Sequence, residues 1–166
     1  ILSGLVGSEM CIETVIAPYA DDIVAFDAIQ ALQFKGKSAY TAHWEMCMGM
    51  CTGPMVFELA QLTVYAAGDL ALAHWLNRCG PGDDESQCGF MRATVGYRRQ
   101  GGQWQVIHEH WSAPFDMETQ KALFDLKPGL YRQTHFANAL EATMKYLCLV
   151  YCCLLYTSDA ADDLLC

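Results

Sequence analysis

Four strand-like runs in the middle of the chain restrict the folds that it can adopt. They span residues 55–66, 70–78, 87–99 and 103–115, and the turn sequences "AAGD", "GPGDDE" and "QGG" separate them. Runs that follow one another through such short connections pair with their sequence neighbours. The sequence therefore predicts an antiparallel meander of four strands.

A helix is predicted before this meander, over residues 37–51. Its apolar side chains fall on one face at helical spacing: Tyr40, Trp44, Met48 and Cys51. Gly53-Pro54 ends it, and residues 9–20 are interpreted as the end of an earlier helix. Short strands are expected at residues 21–29 and 32–36. A helix followed by a meander is an α+β pattern.

The last hairpin has a predictable register. A two-residue Gly101-Gly102 turn pairs Gln100 with Gln103, so that facing residue numbers add to 203. Three further pairs then share one sheet face: Arg92 with Trp111, Thr94 with Glu109, and Gly96 with Ile107. The opposite face is predicted to carry Trp104, Val106, His108 and His110.

The two ends of the chain read differently from its middle. The chain starts without Met and without signal-peptide features, so we expect an N-terminal truncation. Residues 153–166, "CLLYTSDAADDLLC", are interpreted as a translated sequencing adapter and excluded from the fold. Residues 129–152 are either a native extension or frame-shifted readthrough. Residues 1–128 are therefore expected to form a single domain.

Composition excludes several partner classes. The chain has 10 Lys and Arg against 19 Asp and Glu, with no basic patch, which argues against nucleic acid. The apolar run at residues 146–156 falls short of the roughly 20 residues that cross a bilayer. Five of the nine Cys precede this region, in odd number and without a CxxC motif. They favour free thiols in a reducing cytoplasm.

Four segments between residues 17 and 128 resemble one known family. They are "APYADDIVAFD", "FKGKSAYTAHWE", "GDLALAHWLNR" and "GGQWQVIHEHWSAPFDMETQKALFDLKP". They are similar to the SnoaL-like, ketosteroid isomerase-related branch of the nuclear transport factor 2-like (NTF2-like) superfamily. The resemblance implies a cone, in which a curved, mostly antiparallel sheet wraps around helices and a deep apolar pocket. It also implies a homodimer. Isomerases, cyclases, hydrolases, dehydratases and non-catalytic modules share this fold, which therefore does not fix the function.

Asp27 is the first candidate for chemistry. The resemblance places it where steroid isomerases carry their general base, at the end of the "YADD" strand. An aspartate in an apolar pocket can take a proton from a carbon beside a carbonyl, because desolvation raises its basicity. The alternative is an Asp that caps the turn after the strand.

The same resemblance disfavours a steroid isomerase proper. Those enzymes hold the developing oxyanion with a tyrosine on the first helix and a protonated aspartate on a strand. The first helix is not recognisable here, and the strand position falls at Ala93 or Thr94. Neither residue is an acid, so the larger part of the barrier reduction is not accounted for.

Glu109 and Arg92 form the second candidate. The resemblance puts Trp111 on the apolar wall of the pocket, and the predicted register brings Glu109 and Arg92 to the same face. Such a pair could bind a carboxylate or an enol, or perform acid–base work. The alternative is a structural ion pair. The expected ligand contacts are Tyr40, Trp44, Phe90, Thr94, Ile107 and Trp111.

Histidine and cysteine pairs favour packing over metal binding. His108 and His110 could chelate on one strand face, but this face is predicted to lie opposite the pocket, at an interface. His43, Cys47 and Cys51 repeat along the helix over about 12 Å at ~1.5 Å per residue, too far for one ion with Zn–S bonds of about 2.3 Å. Core packing is the better interpretation.

Two functional hypotheses follow. The favoured one is a dimeric SnoaL-like protein that binds a small apolar molecule, with cofactor-free proton transfer by Asp27 or Glu109 and Arg92 steadying negative charge. No Gly-rich phosphate loop suggests a nucleotide cofactor. The alternative is a non-catalytic binding or assembly module with a filled pocket. A cavity below roughly 300 Å³, or a solvent-directed Asp27, would argue against an enzyme.

Overall fold

A computed structural model of the chain describes residues 12–50 and 53–129. Our predictions for the N-terminal truncation, for residues 130–152 and for the adapter-like segment lie outside the described residues, as does Cys51. Within the described part, no helix combines the length and the apolar character that a membrane crossing requires.

Two helices were expected, and both lie where the sequence indicated. Helix α1 spans Ile12–Ile16 and helix α2 spans Lys37–Gly49. Gly36 precedes α2 with a φ of 83°, a backbone conformation that glycine adopts without a steric penalty. The buried residues of α2 are Tyr40 and His43, three positions apart on one face. Trp44, which shares the predicted face with Tyr40, also packs against the core.

The six-stranded main sheet contains the predicted meander. Strands β3 to β6 span Met55–Ala67, Leu70–Pro81, Gly89–Gln100 and Gln103–Ser112. Strands β1 (Tyr19–Phe26) and β2 (Phe34–Lys35) precede them, and the spatial order is β2-β1-β6-β5-β4-β3. All neighbours run antiparallel except β1 and β6, which pair in parallel. The predicted α+β architecture with a curved, mostly antiparallel sheet is confirmed.

The core lies on the concave face of the sheet. Alternate residues of β4 and β5 face inward and are buried, which is the period-2 pattern of a strand with one covered face. Helix α2 contacts β1 and covers part of this face. The core includes Ala73 and Trp75 from β4, Ala93 and Val95 from β5, and Val106 from β6.

The hairpin between β5 and β6 departs from the predicted register after four pairs. Gly101 and Gly102 both have positive φ, and Gln100 pairs with Gln103 as predicted. The rule holds as far as Tyr97 and Val106, but Gly96 then pairs with His108. Ile107 is therefore the extra residue of a β-bulge. Beyond it, every predicted pair is wrong by one position.

A short two-stranded ladder follows β6 in the chain. Strands β7 (Phe115–Asp116) and β8 (Lys121–Ala122) form a small separate ladder. Behind them, the Phe124 carbonyl accepts a hydrogen bond of 3.2 Å from the Phe90 amide. A Cβ atom on Gly89 would lie 2.7 Å from that carbonyl oxygen, so this contact requires glycine at position 89.

Candidate functional site

A cavity of about 110 Å³ lies between α2 and the concave face of the sheet. Its apolar and sulfur-bearing lining consists of Ile29, Trp44, Cys47, Phe57, Cys79, Met91 and Trp111. Among the described residues, three polar side chains also line it: Asp27, His43 and Asn77. The volume is below the roughly 300 Å³ expected for a drug-sized ligand, so the cavity suits only a small guest.

Asp27 lies just after the end of β1 and faces the cavity rather than solvent. Its side chain is 11% exposed. The Ile29 amide donates to Asp27 Oδ1 at 3.1 Å, which fixes the carboxylate in an Asx turn. Asp27 Oδ2 lies 3.2 Å from the Tyr40 hydroxyl and 3.4 Å from His43 Nε2. The structure thus combines the predicted capping role with a placement at the cavity wall.

Glu109 is fully buried and holds the second carboxylate of the site. Its Oε2 accepts hydrogen bonds from the Tyr40 hydroxyl at 2.9 Å, the Tyr19 hydroxyl at 3.0 Å and the Trp111 indole at 3.2 Å. The Trp44 indole donates to the Tyr19 oxygen at 3.1 Å. Three donors on one oxygen suit an ionised carboxylate, whose charge they stabilise away from water.

Tyr40 joins the two carboxylates. Burial raises its pKa far above the ordinary value, and the negative charge of Glu109 adds to this shift. The hydroxyl therefore keeps its proton and remains a donor. Since it has one proton, it can donate to Glu109 or to Asp27 but not to both at once.

His43 brings a titratable ring to Asp27. The ring stacks on Phe34 with centroids 4.2 Å apart, which fixes its orientation. Cys47 Sγ lies 3.6 Å from Nε2 and 3.9 Å from Nδ1 of His43. Both distances lie within the range of a hydrogen bond to sulfur, so Cys47 and His43 are in contact at the cavity wall.

The bulge separates Arg92 from Glu109, and the predicted pair of these residues does not form. Glu109 faces Val95 and Trp111 faces Ala93, all on the concave side, whereas Thr94 faces His110. Arg92 is exposed on the opposite face and donates to the Ala113 carbonyl at 3.1 Å. The predicted shared face of Glu109 and Arg92 is wrong because one extra residue inverts the alternation.

The remaining predicted ligand contacts divide between the two faces. Trp44 and Trp111 line the cavity, and Tyr40 lies behind it in the network around Glu109. Phe90 and Thr94 share the outer face of β5 with Arg92, and Ile107 sits at the bulge. None of these three lines the cavity among the described residues.

The outer face of β6 carries His108 and His110, as expected. His108 Nδ1 lies 2.7 Å from the Val24 carbonyl oxygen, and the ring of Phe26 packs edge-on against both imidazoles. Val106, predicted on this face, is instead buried in the core. Trp104, also predicted here, packs against the core. The bulge explains both errors. The side chains of β6 between the turn and Ile107 point to the opposite faces from those that an unbroken alternation with Glu109 predicts.

Among the polar residues of the site, the sequence interpretation missed Tyr19, His43 and Asn77, and it also missed the apolar and sulfur-bearing lining residues Ile29, Phe57, Cys79 and Met91. The signal for Asn77 was present, because it shares the inward parity of Ala71, Ala73 and Trp75 on β4. His43 lies three residues after Tyr40 and so on the same helix face. The role of Tyr19 depends on where β1 crosses β6, which local patterns do not encode.

A curved sheet with a helix over its concave face and a cavity between them is characteristic of one class of protein. The family model of the SnoaL-like domain matches residues 10–116, which is more than half of the chain. The chain therefore belongs to the SnoaL-like family, and the predicted family is confirmed. No curated protein matches the chain.

Solved structures agree with this assignment. The chain is 96% identical to an NTF2-like protein of unknown function from Pseudomonas putida KT2440, over 70% of this chain and 82% of that one, with a TM-score of 0.69. A candidate ketosteroid isomerase from Parabacteroides distasonis is 21% identical over 63% and 76%, with a TM-score of 0.53.

A third similar structure comes from Thiobacillus denitrificans and is a candidate calcium/calmodulin-dependent protein kinase type II association domain. It is 19% identical, covers 61% of this chain and 80% of that one, and has a TM-score of 0.52. At such identities the likeness of this structure and of the Parabacteroides protein shows the fold alone.

Proposed function

We propose that this protein binds a small apolar carbonyl compound in the cavity and moves a proton on it without a cofactor. One observation carries the proposal: the Asp27 carboxylate, largely withdrawn from water, stands on the wall of a cavity that is otherwise mostly apolar. Apolar pockets with a few polar groups are the usual form of small-molecule sites.

Asp27 has the chemistry for this step. A carboxylate can accept the proton from a carbon beside a carbonyl, which leaves an enolate, and the resulting acid can return the proton to another carbon. The step consumes nothing and needs no further reactant. Glu109 has a supporting role behind the cavity wall, because three hydrogen-bond donors already stabilise its charge. Arg92, on the outer face, has no part in the proposal.

The cavity volume restricts the ligand. At about 110 Å³ the cavity suits a single small ring or a short chain, and a steroid is too large for it. Trp44 and Trp111 offer flat aromatic surfaces to such a guest, and Met91 offers an adaptable one. We therefore propose a ligand well below drug size.

The same small volume favours a second candidate function, a non-catalytic binding or assembly module. A cavity below roughly 300 Å³ argues against an enzyme, and this cavity is smaller than that. A solvent-directed Asp27 would argue the same way, but Asp27 faces the cavity and is largely buried. The likeness in fold to a candidate association domain is compatible with this alternative. The expected homodimer, a feature of both hypotheses, stays a prediction.

Cyclohexanone and deuterium exchange distinguish the two functions. Binding is followed by the chemical-shift changes that cyclohexanone causes in ¹H–¹⁵N spectra of the protein. Proton transfer is followed by the loss of its α-proton signals in D₂O. We expect the wild type to bind and to accelerate exchange. Asp27→Asn should keep binding and slow the exchange about 100-fold or more, the usual contribution of a general base.

Asp21→Asn is the matched control, because Asp21 is an exposed carboxylate on β1, the strand that Asp27 follows. It should exchange at the wild-type rate. Binding without accelerated exchange would leave a binding module and remove the proposed chemistry. Failure of cyclohexanone and other small ketones to bind at millimolar concentration would overturn the proposal and favour assembly.

A further inference from the structure

Asn77 is a polar residue at an inward position of a core strand. It lies on β4, opposite Leu59 on β3 and Met91 on β5. Asn77 is 0% exposed, and the residues that share its inward face are apolar: Ala71, Ala73 and Trp75. A buried amide in such a position is costly unless its hydrogen bonds are made.

Only half of the Asn77 amide is accounted for within residues 12–50 and 53–129. The Trp75 indole nitrogen donates to Asn77 Oδ1 at 3.4 Å. Because an indole N–H can only donate, this contact determines which end of the amide is the oxygen. The other end, Nδ2, is buried and has no hydrogen-bond partner in the described part of the chain. Buried donors of this kind are rare in native proteins.

The unpartnered donor belongs to a residue of the cavity wall. Asn77 and Asp27 both line this cavity, together with Trp111 and Met91. We infer that Asn77 Nδ2 binds the carbonyl oxygen of the ligand, which makes Asn77 the residue that selects compounds with an acceptor oxygen. This inference rests on the proposed function and names the residue that recognises the carbonyl group of its ligand.

The same hydrogen bond would also assist the proposed proton transfer. When Asp27 takes a proton beside the carbonyl, negative charge develops on the carbonyl oxygen. An N–H group held at that oxygen stabilises this charge. The strand ladder on both sides fixes the backbone of Asn77, and the Trp75 indole holds the oxygen of its side-chain amide.

A pair of probes isolates this hydrogen bond. Cyclohexanone and methylenecyclohexane have nearly the same shape, but only the ketone has an acceptor oxygen. The ratio of their dissociation constants is measured in the wild type, in Asn77→Leu and in Gln103→Leu. The last is the matched control, because it makes the same change from an amide to leucine at an exposed position of β6 that does not line the cavity. We expect Asn77→Leu to reduce the wild-type preference for the ketone roughly tenfold, and Gln103→Leu to keep it.

The wild type alone provides a second measurement in case Asn77→Leu does not fold. The side-chain amide protons of Asn77 should move downfield with cyclohexanone and stay in place with methylenecyclohexane. Equal binding of the two probes by the wild type, or an unchanged ratio in Asn77→Leu, would overturn the role of Asn77 while leaving ligand binding intact. If neither probe binds the wild type, the proposed function fails and this inference fails with it.

Discussion

Replacement of Tyr40 by Phe tests whether the buried carboxylate of Glu109 is held by its donors. The substitution removes one hydroxyl and little volume. In the folded protein this hydroxyl donates to Glu109 at 2.9 Å, in a place where Glu109 is 0% exposed. Two donors remain, from Tyr19 and Trp111, so the carboxylate stays buried with part of its charge no longer compensated.

Hydrogen bonds to charged groups contribute about 1.5–3 kcal/mol each. We therefore expect Tyr40→Phe to lower the free energy of unfolding by about 2 kcal/mol. The four Trp allow unfolding in urea to be followed by fluorescence. With a urea dependence of about 2 kcal/mol/M, the midpoint should fall by roughly 1 M at an unchanged slope.

Tyr65→Phe is the matched control, because Tyr65 is 61% exposed on β3. A surface change of this kind should stay within about 0.5 kcal/mol of the wild type. If Tyr40→Phe and Tyr65→Phe have the same midpoint, the hydroxyl contributes nothing and the account of Glu109 as a donor-stabilised carboxylate is wrong.

Three further predictions concern pH, packing and the outer face. Burial and Glu109 raise the pKa of Tyr40 above its usual 10.0 in the folded state, so the unfolded chain loses this proton first. Stability should fall above about pH 10 by up to about 1.4 kcal/mol per pH unit, and urea titrations of Tyr40→Phe should show a smaller fall. Gly89→Ala should cost about 1–3 kcal/mol, because the new methyl group meets Phe124 at 2.7 Å. Thermal unfolding of Gly49→Ala, which has no atom within 4 Å of its new methyl group, should match or exceed the wild type. Arg92→Ala should change the dissociation constant for cyclohexanone less than twofold, and a tenfold change would place Arg92 in the site after all.

Much of the fold follows from local chemistry that the sequence displays. The period-2 runs and the Gly101-Gly102 turn are short-range signals, and the structure reproduces the strands and the turn that they predict. The register beyond Val106 does not follow in the same way. Ile107 is apolar and β-branched and reads as an ordinary strand residue, so its bulge results from how β6 pairs with both β5 and β1.

The site is less predictable than the fold because it is assembled across distant segments. Asp27 and Trp111 were placed by resemblance, and both line the cavity. Tyr19 meets Glu109 across 90 positions of sequence, a contact that no window of local pattern contains. The sequence shows that Asn77 is a polar residue at an inward position of β4. That its Nδ2 has no hydrogen-bond partner among the described residues is visible only in the structure.

The bulge at Ile107 also has a consequence for insertions and deletions. In a regular strand, loss of one residue turns every later side chain to the other face. Loss of Ile107 would instead join the two halves of β6 into one unbroken alternation, with Tyr97 still opposite Val106 and Val95 still opposite Glu109. A one-residue deletion should therefore be tolerated at this position of β6, whereas a deletion of His110 would turn either Glu109 or Trp111 away from the inward face. Homologues one residue shorter here can keep the same inward-facing carboxylate and indole.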